Sequence, residues 1–334
     1  APLRNKHHDY IVGNEQFSYH ADANWAQFPE GYYCQEVVGT AINSQNVVYV
    51  FNRGEIPVMT FASDGTLIDQ WTDLSIQRAH GISILHDDTV VLTDDVGHQV
   101  SLYTPNGELI RHLSDGAASD TGVENMDYRT IQHGGPPFNY PTNVVETESG
   151  DLFIVDGYGN ARVHHFDADY QHVKSWGEPG AAPGEFNVPH GIDIDKNGVL
   201  YICDRENTRI QRYSQTGELI DIWTDTIRPA QIFIHDNHAY VSELGYKTGM
   251  FAGDTPPAGV TTGGRCSIYD LDGNVVCRWG GGEDPCAPGD FYAPHDITVD
   301  RDGNIYYAEV VWSAGGRHEE VMKPYHTLQK FTRV

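Results

Sequence analysis

Six similar units, each about 40 residues long, follow one another along this chain. Each unit contains short apolar segments separated by turns such as Asn106-Gly107 and Asp272-Gly273. One such unit has no partner on which to bury its apolar faces, so the units must pack against each other. Four strands in a period of about 40 residues are typical of a propeller blade. We therefore predict an all-β fold, a six-bladed β-propeller with four-stranded blades. A pair of β-sandwiches is the competing fold, but it does not explain six similar units.

The predicted ring uses the whole chain, residues 1–334, as a single domain. The last unit, which begins at His295, shows only three strand-like segments. We expect the N-terminal segment, about residues 1–36, to supply the missing strand and close the ring. The physical reason is that an open ring would leave the edges of its sheets unpaired.

The composition excludes several classes of partner. A net charge of −26 disfavours nucleic acid and anionic membranes, and no stretch is long and apolar enough to be a transmembrane helix. No signal peptide is visible, although a removed leader is an open alternative, and we favour a soluble protein of the cytoplasm over a secreted or periplasmic one. We also expect a monomer. Two of the five cysteines, Cys266 and Cys277, flank a hairpin turn and are candidates to face each other across it.

One short phrase begins three of the six units. Its copies are Ala79-His80-Gly81-Ile82, Pro189-His190-Gly191-Ile192 and Pro294-His295-Asp296-Ile297. They open units two, four and six, and each continues into an apolar strand. The first strand of a propeller blade lines the central channel, so these histidines are expected at the start of that channel wall.

Histidines from alternate blades of a six-fold ring are related by a three-fold rotation. His80, His190 and His295 are therefore expected to converge at one level with one side open. Three neutral imidazoles and one open position are the ligand set of a catalytic zinc site. The alternative is that each histidine is a turn residue bonded to the backbone. We favour the metal because the other three units have no histidine in the corresponding region, where they carry Gly39, Thr142 and Gln231.

A second set of residues lies in the turns between the second and third strands of the blades. These turns are on the same side of the ring as the histidines, which places Arg53 and Tyr158 over the channel mouth. An arginine there can hold a substrate carboxylate with two parallel hydrogen bonds. A phenol beside a dication and a guanidinium suits a general base, because positive neighbours stabilise the phenolate. The Asn-x-Arg pattern that ends at Arg209 is more typical of a structural brace.

The repeats are similar to NHL-type propeller repeats, and the whole set resembles the catalytic core of the peptidyl-α-hydroxyglycine α-amidating lyases. The resemblance extends from about Gly39 to Val310 and includes three longer motifs besides the histidine phrases. These are Val50-Phe51-Asn52-Arg53-Gly54, Val155-Asp156-Gly157-Tyr158 and Cys203-Asp204-Arg205-Glu206-Asn207.

The resemblance implies a role for each matched residue. Zinc would be bound by His80, His190 and His295, and Arg53 and Tyr158 would be catalytic. A structural Ca²⁺ would be held by Asp296 with the backbone carbonyls of Thr40 and Ile82, which are oxygen ligands suited to that ion. The chain has Gly159 where amidating members often carry a disulfide-forming Cys, which fits a non-secreted relative. Two insertions, residues 114–140 and 246–264, are expected to reshape the channel mouth.

The resemblance and the residues together predict a zinc-dependent carbon–nitrogen lyase. Its substrate would be an N-acyl carbinolamine of the α-hydroxyglycine type, a small or peptide-like molecule with a carboxylate, and its products an amide and glyoxylate. One alternative keeps the metal but hydrolyses a lactone, ester or amide. The other is a non-enzymatic NHL-type module that binds a partner on one face.

Overall fold

The computed structural model describes residues 10–246, 262–282, 284–314 and 326–334. It is a six-bladed propeller of antiparallel sheets, which confirms the predicted fold class. The second predicted insertion, residues 246–264, lies almost entirely outside the described residues. Helical structure in the described part consists of the α-helix α1, Val311–Ala314, and a 3₁₀ turn, Tyr128–Thr130. No described helix has the length and apolar character needed to cross a membrane.

The strands are short, and five of the six blades each consist of four strands that are consecutive in the chain. The first half of the chain contains β1 Ile11–Gly13, β2 Ser18–Asp22, β3 Val37–Ile42, β4 Val48–Asn52, β5 Val58–Phe61, β6 Leu67–Trp71, β7 Ala79–Ile84, β8 Val90–Asp94, β9 Gln99–Tyr103, β10 Leu109–His112, β11 Pro141–Glu146, β12 Leu152–Asp156, β13 Arg162–Phe166 and β14 His172–Trp176. The second half contains β15 Pro189–Ile194, β16 Leu200–Asp204, β17 Arg209–Tyr213, β18 Leu219–Trp223, β19 Pro229–His235, β20 His238–Glu243, β21 Arg265–Asp270, β22 Val275–Gly280, β23 Pro294–Val299, β24 Ile305–Glu309 and β25 Leu328–Arg333.

The ring closes between the two ends of the chain. Strand β2 pairs with β25, with His20 opposite Thr332, and β1 adds to the outside of β2. The last blade therefore has five strands in the order β1-β2-β25-β24-β23. The inner strands β3, β7, β11, β15, β19 and β23 contact their neighbours in ring order, and β23 contacts β3. These six strands form the channel wall and carry the histidine phrases.

Tryptophan side chains connect neighbouring blades at the outer hairpins. Trp71 ends β6, and its indole lies against Gly107 in the β9–β10 turn of the next blade. Gly107 has a φ of +91°, and a Cβ there would be only 2.7 Å from the Trp71 ring. Trp223 contacts Gly273 in the same way. The Asn-Gly and Asp-Gly turns are thus needed both for their backbone conformation and for the close approach of an aromatic ring.

The expectation that Cys266 and Cys277 face each other is wrong. In the β21–β22 pair, Cys266 lies opposite Trp279, and Cys277 lies opposite Ile268. Both cysteines are free thiols in a buried apolar cluster. Burial raises the pKa of both thiols, and they behave as small apolar side chains rather than as a disulfide.

Candidate metal centre and active site

The three phrase histidines meet on the channel axis. The imidazole centroids of His80, His190 and His295 form a nearly equilateral triangle with sides of 4.7, 4.8 and 4.8 Å. Their possible ligand atoms all lie within 4.8 Å of one another, and all three residues are buried. The alternation of the phrase between blades therefore produces the three-fold arrangement that the sequence predicted.

A backbone carbonyl of the next blade orients each imidazole. Nδ1 of His80 donates to the Thr142 carbonyl at 2.8 Å, that of His190 to Ala230 at 2.6 Å, and that of His295 to Val38 at 2.6 Å. Because a carbonyl oxygen only accepts, Nδ1 carries the proton and Nε2 keeps its lone pair. All three rings therefore offer Nε2 to one point, and this donor set fits a metal such as zinc.

The strand pairing identifies the residues of blades one, three and five that are equivalent to His80. They are Val38, Thr142 and Ala230. Gly39 and Gln231, which the sequence placed in the corresponding region, follow Val38 and Ala230 by one residue. Blades one, three and five thus supply the acceptors that fix the tautomer of the histidines in blades six, two and four.

A steric constraint explains why glycine follows the histidine in two copies of the phrase. A Cβ at Gly81 would lie 2.3 Å from the Thr142 carbonyl oxygen, the atom that accepts from His80. The third copy has Asp296 instead, and there the neighbouring blade provides the space. A Cβ at Gly39 would lie 2.9 Å from Oδ2 of Asp296. The exchange of glycine for aspartate is therefore compensated across the blade interface.

The surroundings keep the histidines uncharged. Burial lowers the pKa of His80 and His190 well below the ordinary value, and the neighbouring imidazoles and arginines lower it further. Burial, with the charge of Arg53, lowers the pKa of His295 to about 3. The neutral imidazole is the form that binds metals, so at neutral pH no proton competes for Nε2.

The hydroxyl group of Tyr158 lies next to the histidine triad. Tyr158 lies in the β12–β13 turn, is 4% exposed, and its oxygen is 3.0 Å from Nε2 of His190 and 3.4 Å from Nε2 of His80. Nη1 of Arg205 donates to the same oxygen at 3.0 Å, and the Arg205 guanidinium lies 5.3 Å from the ring centroid. The phenol therefore connects a cation to the histidine triad.

Arg53 lies at the channel mouth, but its donors are mostly engaged by the protein. Nη1 donates to Glu36 at 2.7 Å and to Ser313 at 3.2 Å, and Nε donates to the carbonyl of Ala79, the residue before His80. Burial alone would raise the pKa of Glu36, but the charge of Arg53 together with hydrogen bonds from Ser313 and Arg53 outweighs it, and the pKa lies below its ordinary value. Arg53 thus fixes the start of β7 and brings its charge close to the triad.

Sequence reasoning named the turn that contains Arg205 but did not select this residue. Arg205 directly follows β16, as Arg53 directly follows β4, and this shared position was the available signal. Its Nε donates to Glu206 at 2.8 Å, and Glu206 also binds Arg228. Arg209, in contrast, donates to Asp204 at 2.7 Å, as expected for a structural brace.

The residues predicted to bind calcium line a separate part of the channel. Asp296, Thr40 and Ile82 are in the wall of a cavity of about 500 Å³. Oδ2 of Asp296 accepts from the backbone N–H of Thr40 at 2.7 Å. Burial raises the pKa of Asp296 to about 7. The structure thus places the three residues in the wall of one cavity.

The sequence is similar to those of several known proteins. Residues 186–213 match the NHL repeat family, and this stretch contains His190 and Arg205. Human NHL repeat-containing protein 3 is 28% identical over 315 residues, which are 89% of this chain and 82% of that protein. Peptidyl-alpha-hydroxyglycine alpha-amidating lyase 1 of Drosophila melanogaster is 26% identical over 294 residues, 81% of this chain and 50% of that protein. The predicted resemblance to NHL repeats and to amidating lyases is confirmed.

Solved structures of similar shape are also propellers. A streptogramin B lyase aligns with a TM-score of 0.60 at 13% identity, covering 95% of this chain and 98% of that one. A gluconolactonase from Xanthomonas campestris aligns with a TM-score of 0.61 at 12% identity, covering 95% and 90%. At such identities the likeness shows the fold alone.

Proposed function

We propose that this NHL-repeat chain is a metal-dependent lyase that cleaves the C–N bond of an N-acyl carbinolamine, N–CH(OH)–COO⁻, to an amide and glyoxylate. One observation carries the proposal. The Tyr158 hydroxyl lies between a guanidinium, Arg205, and the lone-pair nitrogen of His190. This arrangement puts a proton acceptor beside a candidate metal centre, as the reaction requires. The amidating lyases among the sequence relatives support the same class of reaction.

His80, His190 and His295 would hold the metal through Nε2, and we propose zinc because three neutral imidazoles with an open position suit it. When bound, zinc supplies a Lewis acid for the hydroxyl and carboxylate oxygens of the substrate. The protein's contribution is orientation. The carbonyl of the next blade fixes each ring in the ligating tautomer.

The proton and electron movements use residues of the chain. In its phenolate form Tyr158 accepts the proton of the substrate hydroxyl, and Arg205 stabilises the phenolate by a charge-assisted hydrogen bond. The O–H electron pair forms the C=O bond of glyoxylate as the C–N bond breaks. The departing amide nitrogen takes the C–N pair and receives the proton from Tyr158. Arg53 stabilises the negative charge that develops on oxygen. No water is consumed.

Glyoxylate release tests the reaction. We expect the zinc-loaded protein to convert α-hydroxyhippurate to benzamide and glyoxylate in equal amounts, because the balanced reaction yields one of each. Both products can be quantified by chromatography. A zinc-loaded protein that releases no glyoxylate above the buffer rate contradicts the lyase proposal. Products that contain an added water, such as benzoate, would instead favour a hydrolase.

We also propose that Asp296 holds a structural Ca²⁺ with the carbonyls of Thr40 and Ile82. A buried carboxylate among oxygen atoms is suited to a hard cation. In zinc-saturated protein, Ca²⁺ at about 100 times its Kd should raise Tm by roughly 3–5 °C. Asp296→Asn keeps the acceptor for the Thr40 N–H but removes the charge, and should reduce the Tm shift to below about 1 °C.

Asp193→Asn is the matched control, since Asp193 is another carboxylate of the same cavity. Scanning calorimetry with and without Ca²⁺ measures the shift for each variant. If Asp193→Asn loses the shift and Asp296→Asn keeps it, the ion is bound elsewhere in the channel.

A further inference from the structure

A third guanidinium, that of Arg78, stands beside the candidate active site. Arg78 is the residue before β7, and its Cζ lies 5.9 Å from the centroid of the Tyr158 ring. Arg53 and Arg205 are the other two guanidinium groups of the site. The three side chains differ in access, with exposures of 30% for Arg78, 16% for Arg53 and 4% for Arg205. Arg78 is therefore the guanidinium that a ligand from solvent reaches first.

Arg78 also has hydrogen-bonding capacity that the protein does not use. Its Nη2 pairs with Asp95 at 3.0 Å. Its Nη1 faces the thioether of Met126 at 3.5 Å, and a thioether is a weak acceptor. Within the part of the chain that the structure describes, the buried Nε of Arg78 has no acceptor. The Arg78 guanidinium can donate five hydrogen bonds, and the carboxylate described next to it is that of Asp95.

Two consecutive aspartates, Asp94 and Asp95, hold Arg78 in position. Asp94 accepts from the backbone N–H groups of Gln77 at 2.7 Å and Arg78 at 3.0 Å. Asp95 is fully buried, and burial raises its pKa to about 6, so it is ionised at neutral pH. A guanidinium held this way is pre-organised, which reduces the entropy that a ligand must lose on binding.

The insertion 114–140 contacts Arg78 through Met126. Asn125 and Met126 occupy the centre of a tight turn with φ values of +53° and +58°, and the Asp127 N–H closes it on Glu124 at 2.9 Å. Methionine is strained in the left-handed region, and such strain is concentrated at functional sites. The turn brings Met126 to Arg78.

Tyr128 continues the same wall. It is buried against Tyr158 and Val188, with Met126 packed on this small apolar cluster. Beside Arg78 this wall consists of the partly buried Met126 packed on aromatic rings, and the Arg78 guanidinium contacts its thioether. Such a surface suits a ligand that has a carboxylate at one end and an apolar acyl group at the other.

We propose that Arg78 binds the carboxylate of the carbinolamine, and that Met126 and Tyr128 contact its N-acyl group. The inference rests on the proposed lyase function and adds the class of substrate, an N-acyl compound with an apolar or aromatic acyl group. A carboxylate at Nη1 replaces a weak sulfur contact with a charge-assisted hydrogen bond. Arg78 is a binding residue, so its loss should act on KM and leave kcat nearly unchanged.

Arg78→Gln tests the proposal, with Arg111→Gln as the matched control on the exposed strand β10. For α-hydroxyhippurate we expect Arg78→Gln to raise KM roughly 10- to 100-fold and to change kcat less than about 3-fold. The control should match the parent in both constants. Arg78→Lys keeps the charge and should fall between the parent and Arg78→Gln. A parent-like KM in folded Arg78→Gln overturns the proposal.

A second measurement does not depend on turnover. Hippurate has the carboxylate and acyl group but no hydroxyl to react, and hippuramide has no carboxylate. By calorimetric titration of the zinc-loaded protein, the parent should prefer hippurate by roughly 10-fold or more, and Arg78→Gln should lose this preference. A parent that prefers hippurate but releases no glyoxylate refutes the lyase reaction and not the role of Arg78. A parent that does not bind hippurate, or an Arg78→Gln variant that keeps the preference, overturns that role.

Discussion

The parent protein should contain one equivalent of a divalent transition metal, and His190→Ala should contain almost none. The rate of glyoxylate release by His190→Ala should be roughly 10³-fold or more below that of the parent, because a Lewis acid contributes several kcal/mol to stabilisation of the transition state. Removing one imidazole leaves two ligands, and two neutral nitrogens bind a metal far more weakly than three. Mass spectrometry of the dialysed protein gives the metal content, and the glyoxylate assay gives the rate.

His172→Ala is the control for this variant. His172 is an exposed histidine on the outer strand β14, so its loss should change neither the metal content nor the rate. Circular dichroism should show that both variants are folded. If folded His190→Ala keeps a full equivalent of metal, the triad is not the binding site, and the proposed reaction loses its basis.

Tyr158→Phe should keep the metal and lose the reaction. The phenyl ring retains its contacts with Tyr128 and Val188, and the three imidazoles remain in place. Only the hydroxyl that meets His190 and Arg205 is removed. Loss of a general base costs about 10²- to 10⁴-fold, so we expect kcat to fall in that range with little change in KM.

The measurements are steady-state kinetics with α-hydroxyhippurate and the metal content of the same sample. Tyr170→Phe is the matched control, because Tyr170 is a half-buried tyrosine of the same blade that lies against Arg111 and away from the channel. A Tyr158→Phe variant with more than about a tenth of the parent rate would exclude the phenol as the base.

The fold and the triad could be predicted because both depend on periodicity. A unit repeated six times fixes where each first strand begins, so His80, His190 and His295 occupy equivalent places in the ring. The phrase is visible in the sequence, and three-fold convergence follows from the blade order alone. The residues named for the corresponding region of blades one and five, Gly39 and Gln231, lie one residue after the equivalents of the histidines, Val38 and Ala230.

The rest of the candidate site depends on segments outside the repeat. Met126 and Tyr128 belong to the insertion 114–140, whose conformation rests on an irregular turn rather than on a period. Arg78 is in a connection between blades, and its partner Asp95 gives no pattern that would identify it. Arg205 did have a signal, its equivalence to Arg53. That signal is apparent only when the second strands are aligned at their last residues.

The hydrogen bonds from the three histidines to backbone carbonyls determine when the site can form during synthesis of the chain. Each histidine is oriented by the following blade, and His295 depends on Val38, 257 residues earlier in the chain. A ribosome-bound chain therefore lacks the third oriented imidazole until its C-terminal blade has emerged and docked against the first. The proposed metal centre would accordingly be completed only after ring closure, and a chain that stops before His295 would lack one of its three ligands.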